Sequence, residues 1–229
     1  MNIKGASIKG AIFDMDGTLV DSLWVWNEMW DGLGEKYLGV EHFRPSEEDD
    51  KAVRTMILAD AMDYIHERYH MGRDGRELLH DIEIIIPEFY RTKVFLKPGV
   101  REFLDYCYEN GVKMCIASAT AKEYVEIAAE KHGFEKYFPV RLSCADIGKG
   151  KDEPDIYELA LKTLGTPREE TWVFEDSYVA LETSVKIGLP TVGIYDEWNF
   201  GQDRLEKAST HYIAKGETLL RLLPEIDTV

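Results

Sequence analysis

Cysteine is scarce in this chain of 229 residues, with Cys107, Cys115 and Cys144 as the only three. An odd number with no Cys-x-x-Cys spacing argues against a disulfide framework, and reduced, mostly buried thiols in a cytoplasmic protein are the expectation. Positive charge is short as well: 27 Lys and Arg stand against 43 Asp and Glu, a formal net charge of −16. A surface that acidic repels nucleic acid and anionic lipid as non-specific partners. It also opposes phosphorylated ligands, so a phosphate site must be locally positive. No run approaches the ~18 apolar residues of a membrane span, and Met1 to Gly5 lacks the apolar stretch of a signal peptide. Internal repeats and low-complexity segments are missing too. What remains is a chain that is 45% apolar, enough for one α/β domain with an insertion or for two modest domains. A monomer is the default expectation.

One stretch organises the rest: Ala11-Ile12-Phe13-Asp14-Met15-Asp16-Gly17-Thr18-Leu19-Val20-Asp21-Ser22. The apolar run from Ile8 to Phe13 predicts a buried strand. It ends in two carboxylates one residue apart, which an extended chain points to one side. Gly17 then permits a sharp turn. Two anionic groups held together call for a cation between them, and Mg²⁺ suits that need. The same residues also fit an ordinary Asp-Gly turn after a strand. They do not fit a calcium loop, because the glycine comes too early and no glutamate closes it.

From Leu23 to about Lys93 the spacing is helical, predicting a four- or five-helix module with Trp24, Trp26 and Trp30 on its first segment. Ser46 is placed to cap a helix, and Val53, Met56, Ile57, Ala61, Tyr64 and Ile65 repeat with a helical period. Pro87 suggests a kink or two shorter helices within Arg76 to Lys93. After Lys97-Pro98-Gly99, strands alternate with helices. Strands are expected at Val112–Ala117, Val140–Ser143, Thr171–Phe174, Thr191–Ile194 and His211–Ile213. Helices are expected at Val100–Glu109, Lys122–His132, Glu153–Leu164, Tyr178–Ile187 and Glu217–Leu223. The alternation implies a doubly wound, Rossmann-like α/β fold: a parallel sheet core, residues 1–21 and 96–229, with an inserted α-helical cap, residues 22–95.

Three of the strands end in polar residues: Asp14 and Asp16, Ser118, and Glu175 and Asp176. Lys149 and Lys151 precede the helix that Pro154 opens. Strand ends are where sites form in such sheets, although Ser118 and Glu175-Asp176 each also fit plain helix capping and either lysine fits a solvated surface charge. In sequence order these segments resemble the four motifs of the haloacid dehalogenase-like hydrolases in their phosphatase form: Asp14 to Ser22, then Ile116-Ala117-Ser118-Ala119, then Lys151 with Pro154-Asp155-Ile156-Tyr157, then Val173-Phe174-Glu175-Asp176-Ser177. The chain departs from the usual third motif in having Asp152, not proline, after the lysine, which leaves Lys149 as an alternative to Lys151.

The resemblance implies a Mg²⁺-dependent phosphomonoester hydrolase acting on a small phosphorylated metabolite. Asp14 would be the nucleophile, forming an aspartyl-phosphate, and Asp16 the general acid and base. Lys151, Ser118, Ala119, Gly17 and Thr18 would hold the phosphoryl group. Asp14, the Asp16 backbone carbonyl and Asp176 would hold the metal, with Glu175 orienting from behind. Aspartate at position 16 disfavours the dehalogenase and phosphonate-cleaving branches. A β-phosphoglucomutase-like sugar phosphomutase shares all four motifs and is the alternative. The inserted cap is expected to act as a lid, with Trp24 and Trp26 either lining the pocket or filling the helical core, and Lys51 and Arg54 either gripping an anionic tail or simply solvated. His66-Glu67-Arg68-Tyr69-His70 also matches His-Glu-x-x-His, a zinc metalloprotease pattern when both imidazoles share a helix face. Here Gly72 and Gly75 interrupt the helix directly after it.

Overall fold

The computed structural model describes residues 2–3, 6–53, 56 and 58–223. Arg54, Ile57 and the Lys51 side chain lie outside the described residues. In chain order the strands and helices are β1 (Asn2–Ile3), β2 (Ala6–Ser7), β3 (Gly10–Phe13), β4 (Val20–Asp21), α1 (Val25–Leu38), α2 (Glu47–Val53), α3 (Leu58–Tyr69), α4 (Gly75–Thr92), β5 (Phe95–Leu96), α5 (Val100–Glu109), β6 (Lys113–Ser118), α6 (Lys122–His132), β7 (Val140–Ser143), α7 (Cys144–Ile147), α8 (Asp155–Leu164), β8 (Thr171–Glu175), α9 (Tyr178–Lys186), β9 (Thr191–Ile194), α10 (Gln202–Ala208) and β10 (His211–Ile213). They form two compact units, Met1–Leu23 with Val94–Val229, and Trp24–Lys93.

The first unit is built on a six-stranded sheet in the order β10-β9-β8-β3-β6-β7, with every neighbouring pair parallel. The two-residue alternation of each strand sorts its side chains. Ile12, Cys115, Ala117 and Val173 face one way, into a core with Ile156, Tyr157 and Ala160 of α8 and Ala180 of α9. Phe13 and Phe174 face the other way, stacked at 4.3 Å, with Phe103 of α5 and Phe138 against the Phe13 ring. The central strand β3 is the switch point: the chain leaves it toward β6 and β7, then crosses to β8, β9 and β10 on its other side. A crevice opens at the carboxyl ends of strands on either side of such a point, and Asp14 follows the last residue of β3.

The loop after β3 is tight. Gly17 N donates to Val20 O at 2.9 Å and Val20 N to Met15 O at 3.0 Å. Gly17 has φ +77°, and a Cβ there would lie 2.4 Å from Asp176 Oδ2. Glycine is therefore required for conformation and for space together. Just beyond, β4 pairs antiparallel with β5, Val20 opposite Leu96 and Asp21 opposite Phe95. This ladder belongs to the sheet unit, so the division falls at 23 and 94 where 21 and 96 were expected.

The second unit contains four helices among the described residues. Buried Met29, Trp30 and Leu33 line α1, Ala61, Met62 and Ile65 line α3, and Leu78, Ile82, Ile86 and Phe89 line α4 at three- and four-residue spacing. Ser46 caps α2, accepting from Asp49 N at 3.1 Å. Buried Asp49 accepts from the Tyr64 and Tyr69 hydroxyls at 2.6 and 2.5 Å, which fastens α2 to α3. Helix α4 continues through Pro87 as one helix, so the alternative of two shorter helices does not hold. Its interior proline forgoes one ladder hydrogen bond, and burial of the long apolar stripe outweighs that loss. Trp24 packs edge-on to Phe89 at 4.6 Å and Trp26 tilts onto Trp30 at 5.7 Å, so both join the aromatic packing of this unit.

Other expectations are adjusted at the C-terminal side. The expected helix Glu217–Leu223 is a single 3₁₀ turn, Leu219–Leu222, while α7 and α10 were not anticipated. No described helix is long and apolar enough to cross a membrane.

Candidate active site

Asp14, Glu175 and Asp176 meet at the carboxyl ends of adjacent strands β3 and β8. All three are buried, and one carboxylate oxygen from each lies within 4.8 Å of the others. The register explains the meeting, since Phe13 is opposite Phe174, so the following residues of both strands emerge side by side. Lys151, on the loop before α8, inserts its ammonium between two of them. It donates to Asp14 Oδ1 at 2.5 Å and to Glu175 Oε1. Lys149 instead pairs with Asp155 at 2.8 Å on the surface.

Glu175 is fully committed. Oε1 also accepts from the Tyr157 hydroxyl at 3.2 Å, and Oε2 accepts from Ser177 N at 3.3 Å. Asp176 Oδ1 accepts from the Thr18 hydroxyl at 3.1 Å, and Oδ2 accepts from the Asn199 amide at 2.7 Å. Thr18 is thus buried against Asp176, with its hydroxyl hydrogen engaged there. Ser118, at the end of the neighbouring strand β6, is buried, and its Oγ accepts from Thr120 N at 3.1 Å, which leaves its own hydrogen to donate. Ala119 is exposed beside it.

The Asp16 carboxylate lies apart from the buried trio. Its Oδ1 accepts from the Ser22 hydroxyl at 2.5 Å and its Oδ2 from the Thr120 hydroxyl at 2.7 Å. The expected metal set draws on the Asp16 backbone carbonyl, so these bonds to its carboxylate leave that expectation as it stands. Thr120, Lys97 and Asn199 are supports that sequence reasoning missed. Lys97 Nζ donates to Gly17 O, to Tyr195 O at 3.0 Å and to buried Asp196 at 2.8 Å, so it ties the Asp14–Gly17 loop to the loop after β9. The signal was positional: Thr120 and Asn199 both follow parallel strands at their carboxyl ends.

Charge is the unresolved quantity of this cluster: three buried carboxylates share one ammonium. Burial alone would push the Lys151 ammonium down, but Asp14 and Glu175 hold it well above the usual lysine range. Burial, helped by Asp14 and opposed by Lys151, pushes Glu175 up to about 7. Burial, then Asp14 and Glu175, push Asp176 well above the carboxylate range. Buried oxygen donors with excess negative charge are what a hard divalent cation requires, so the cluster fits a metal.

The pH consequence has a definite sign. The folded state holds protons on Glu175 and Asp176 that the unfolded chain releases near the ordinary value of 4.5 for glutamate and 3.8 for aspartate. Stability therefore falls as pH rises through about 7 for Glu175, and Asp176 adds to the fall in the same direction. His132, held down at about 4 by burial, contributes the opposite slope, confined below its unfolded value of 6.5. In EDTA the melting temperature is expected to drop between pH 6.5 and 8 as the Glu175 proton is lost. Glu175→Gln should flatten part of that slope; a melting temperature that climbs over this interval would contradict the assignment.

The His-Glu-x-x-His stretch is not assembled as a metal site. Helix α3 ends at Tyr69, His70 is left-handed at φ +55°, and a His66 ring nitrogen faces Met71 O at 2.7 Å. Among the described residues, Asp14, Glu175 and Asp176 form the only such cluster of His, Cys, Asp or Glu.

A family model for haloacid dehalogenase-like hydrolases matches residues 8–183. The chain belongs to that family. As a haloacid dehalogenase-like hydrolase it is an enzyme, of the phosphatase branch. It is 27% identical to a phosphorylated carbohydrates phosphatase of Thermotoga maritima over 96% of this chain and all of the relative. It is 24% identical to a phosphoglycolate phosphatase of Pseudomonas fluorescens, over 93% of this chain and 78% of that one. A Thermotoga maritima structure named as a candidate beta-phosphoglucomutase shares the fold with a TM-score of 0.76 at 24% identity, covering 90% of this chain and 94% of the other.

Proposed function

We propose that this hydrolase is a Mg²⁺-dependent phosphatase of small phosphorylated metabolites, with phosphorylated sugars the first class to test. The observation that carries the reading is the Lys151 ammonium seated between Asp14 and Glu175, with Asp176 alongside. Asp14 is the nucleophile. Its carboxylate oxygen forms a bond to phosphorus as the bond to the substrate oxygen breaks, giving an aspartyl-phosphate and an alcohol. Asp16 gives its proton to the departing oxygen, then takes one from the water that attacks phosphorus and frees the Asp14 carboxylate. The Ser22 and Thr120 hydroxyls, one at each oxygen, fix the orientation of the Asp16 carboxyl group. Lys151 and the Ser118 hydroxyl offset charge on the phosphoryl oxygens, and Glu175 holds Lys151 in place. Gly17 and Thr18 shape the back of the site against Asp176.

Asp14, the Asp16 carbonyl and Asp176 would hold the metal, whose bound charge would lower repulsion between nucleophile and phosphate. Substrate approach is opposed by the net charge of −16, so phosphate affinity rests on Lys151, the metal and the donors around them.

The test is inorganic phosphate release from a panel of phosphorylated sugars, nucleotides and cofactors, with Mg²⁺ and EDTA arms. Release from at least one class with Mg²⁺, abolished by EDTA, is expected. Release that survives EDTA unchanged overturns the metal dependence. Conversion of a hexose 1-phosphate to its 6-phosphate without net phosphate release replaces the hydrolase with a phosphomutase, the reaction suggested by the name of the Thermotoga structure.

A further inference from the structure

We propose that Asn199 is the residue that holds Asp176 in its metal-binding rotamer and restricts it to one ligating oxygen, so that this site prefers Mg²⁺ over Ca²⁺. The inference rests on the metal reading above. Asn199 lies on the loop after β9, far in sequence from every motif that marks the site. Its amide nitrogen donates twice to the same residue: to the Asp176 backbone carbonyl at 3.2 Å and to Asp176 Oδ2 at 2.7 Å. One planar group bridging main chain and side chain of one residue locks that side chain's torsions. The amide orientation is determined by its partners, because Asn199 Oδ1 accepts from Phe200 N at 2.9 Å while the nitrogen faces two acceptors.

The remaining sides of Asp176 are closed as well. Oδ1 carries the Thr18 hydroxyl, and Gly17 leaves no room for even a Cβ beside Oδ2. The clamp is anchored from behind. Asp196, buried on the same loop, pairs with Lys97 and accepts from Trp198 N at 2.9 Å, and Lys97 also holds Gly17 O. Both walls around Asp176 are therefore tied to one ammonium.

A carboxylate with a donor on each oxygen cannot turn both oxygens onto one ion. Glu175 is committed in the same manner, and Asp14 has one oxygen on Lys151. Single-oxygen ligands completed by water suit six-coordinate Mg²⁺, whereas Ca²⁺ gains from bidentate carboxylates and a higher ligand number. Removing the Asn199 amide frees Oδ2 and loosens the torsion.

Titration calorimetry of MgCl₂ and, separately, CaCl₂ into EDTA-stripped and dialysed protein tests this. Asn199→Ala is expected to weaken Mg²⁺ binding about 10- to 100-fold, with Ca²⁺ weakened much less, so that the Ca²⁺-to-Mg²⁺ affinity ratio rises. The near-isosteric Asn199→Asp, which sets an acceptor against Oδ2, provides a second reading of the lost donor should the alanine variant fold poorly. Gln202→Ala, which removes the 3.4 Å contact to Asn199 O from the first residue of α10, should leave both affinities unchanged. Unchanged Mg²⁺ affinity and ratio in a folded Asn199→Ala protein overturn the assignment, and so does an equal loss in Gln202→Ala, which would mark a general loop effect. A wild-type chain that binds neither cation overturns the metal reading itself.

Discussion

Asp14→Asn protein should release phosphate at least about 10⁴-fold more slowly than wild type while remaining folded. The substitution keeps shape and removes the charge that attacks phosphorus. It also removes one of three buried carboxylates that repel one another, so the metal-free melting temperature should stay level or rise. This pairing of outcomes separates a nucleophile from a structural aspartate, whose loss would lower activity and stability together. Single-turnover phosphate release and thermal unfolding in EDTA are the two measurements. Turnover within tenfold of wild type would remove Asp14 from the nucleophile's role.

Lys151→Met carries the second large effect, and here both readouts should fall. Lys151 and its partners are each at most 9% exposed at the side chain, so truncation strands Asp14 and Glu175 beside each other without their ammonium. Breaking a buried pair of this kind costs about 3–5 kcal/mol. Phosphate release should fall by about 10³-fold or more, since charge on the phosphoryl oxygens loses its fixed counter-ion. The double variant Lys151→Met/Glu175→Gln should recover a good part of the stability and none of the turnover. Denaturant unfolding of the single and double variants, beside their rates, checks this; a single variant as stable as wild type would show that the ammonium does not offset the buried acids.

The central strands and the acidic strand ends were legible because parallel strands buried on both faces read as short apolar runs, and polar residues that follow them have few places to go except the crevice. Asp14, Ser118, Glu175 and Asp176 stood out on that basis. Lys151 was separable from Lys149 only by resemblance, since a loop lysine has no period to read. The supports were opaque for a related reason. Lys97 and Asn199 act through bonds to residues 80 and 23 positions away, and nothing local in Lys97-Pro98-Gly99 or Trp198-Asn199-Phe200 announces them. Helix α10 escaped notice because seven residues with one buried side chain, Leu205, leave no amphipathic pattern. The expected C-terminal helix failed differently, for Leu219 and Leu222 are both buried but are three apart, a spacing that a single 3₁₀ turn satisfies as well as an α-helix does.

The short β4–β5 ladder bears on how such a chain can exchange a whole segment. Val20 faces Leu96 and Asp21 faces Phe95, so the polypeptide departs and re-enters through a doorway one strand-spacing wide. From Trp24 to Lys93 the chain is a detour whose ends are already fastened together on the sheet side, with Ser22 left at Asp16. A foreign segment of almost any length can be spliced at that doorway, or a tight reverse turn put in its place, without re-threading the strands that carry Asp14 and Asp176. Exchange of a whole segment, with the sheet left untouched, is the evolutionary and engineering freedom that four paired residues confer.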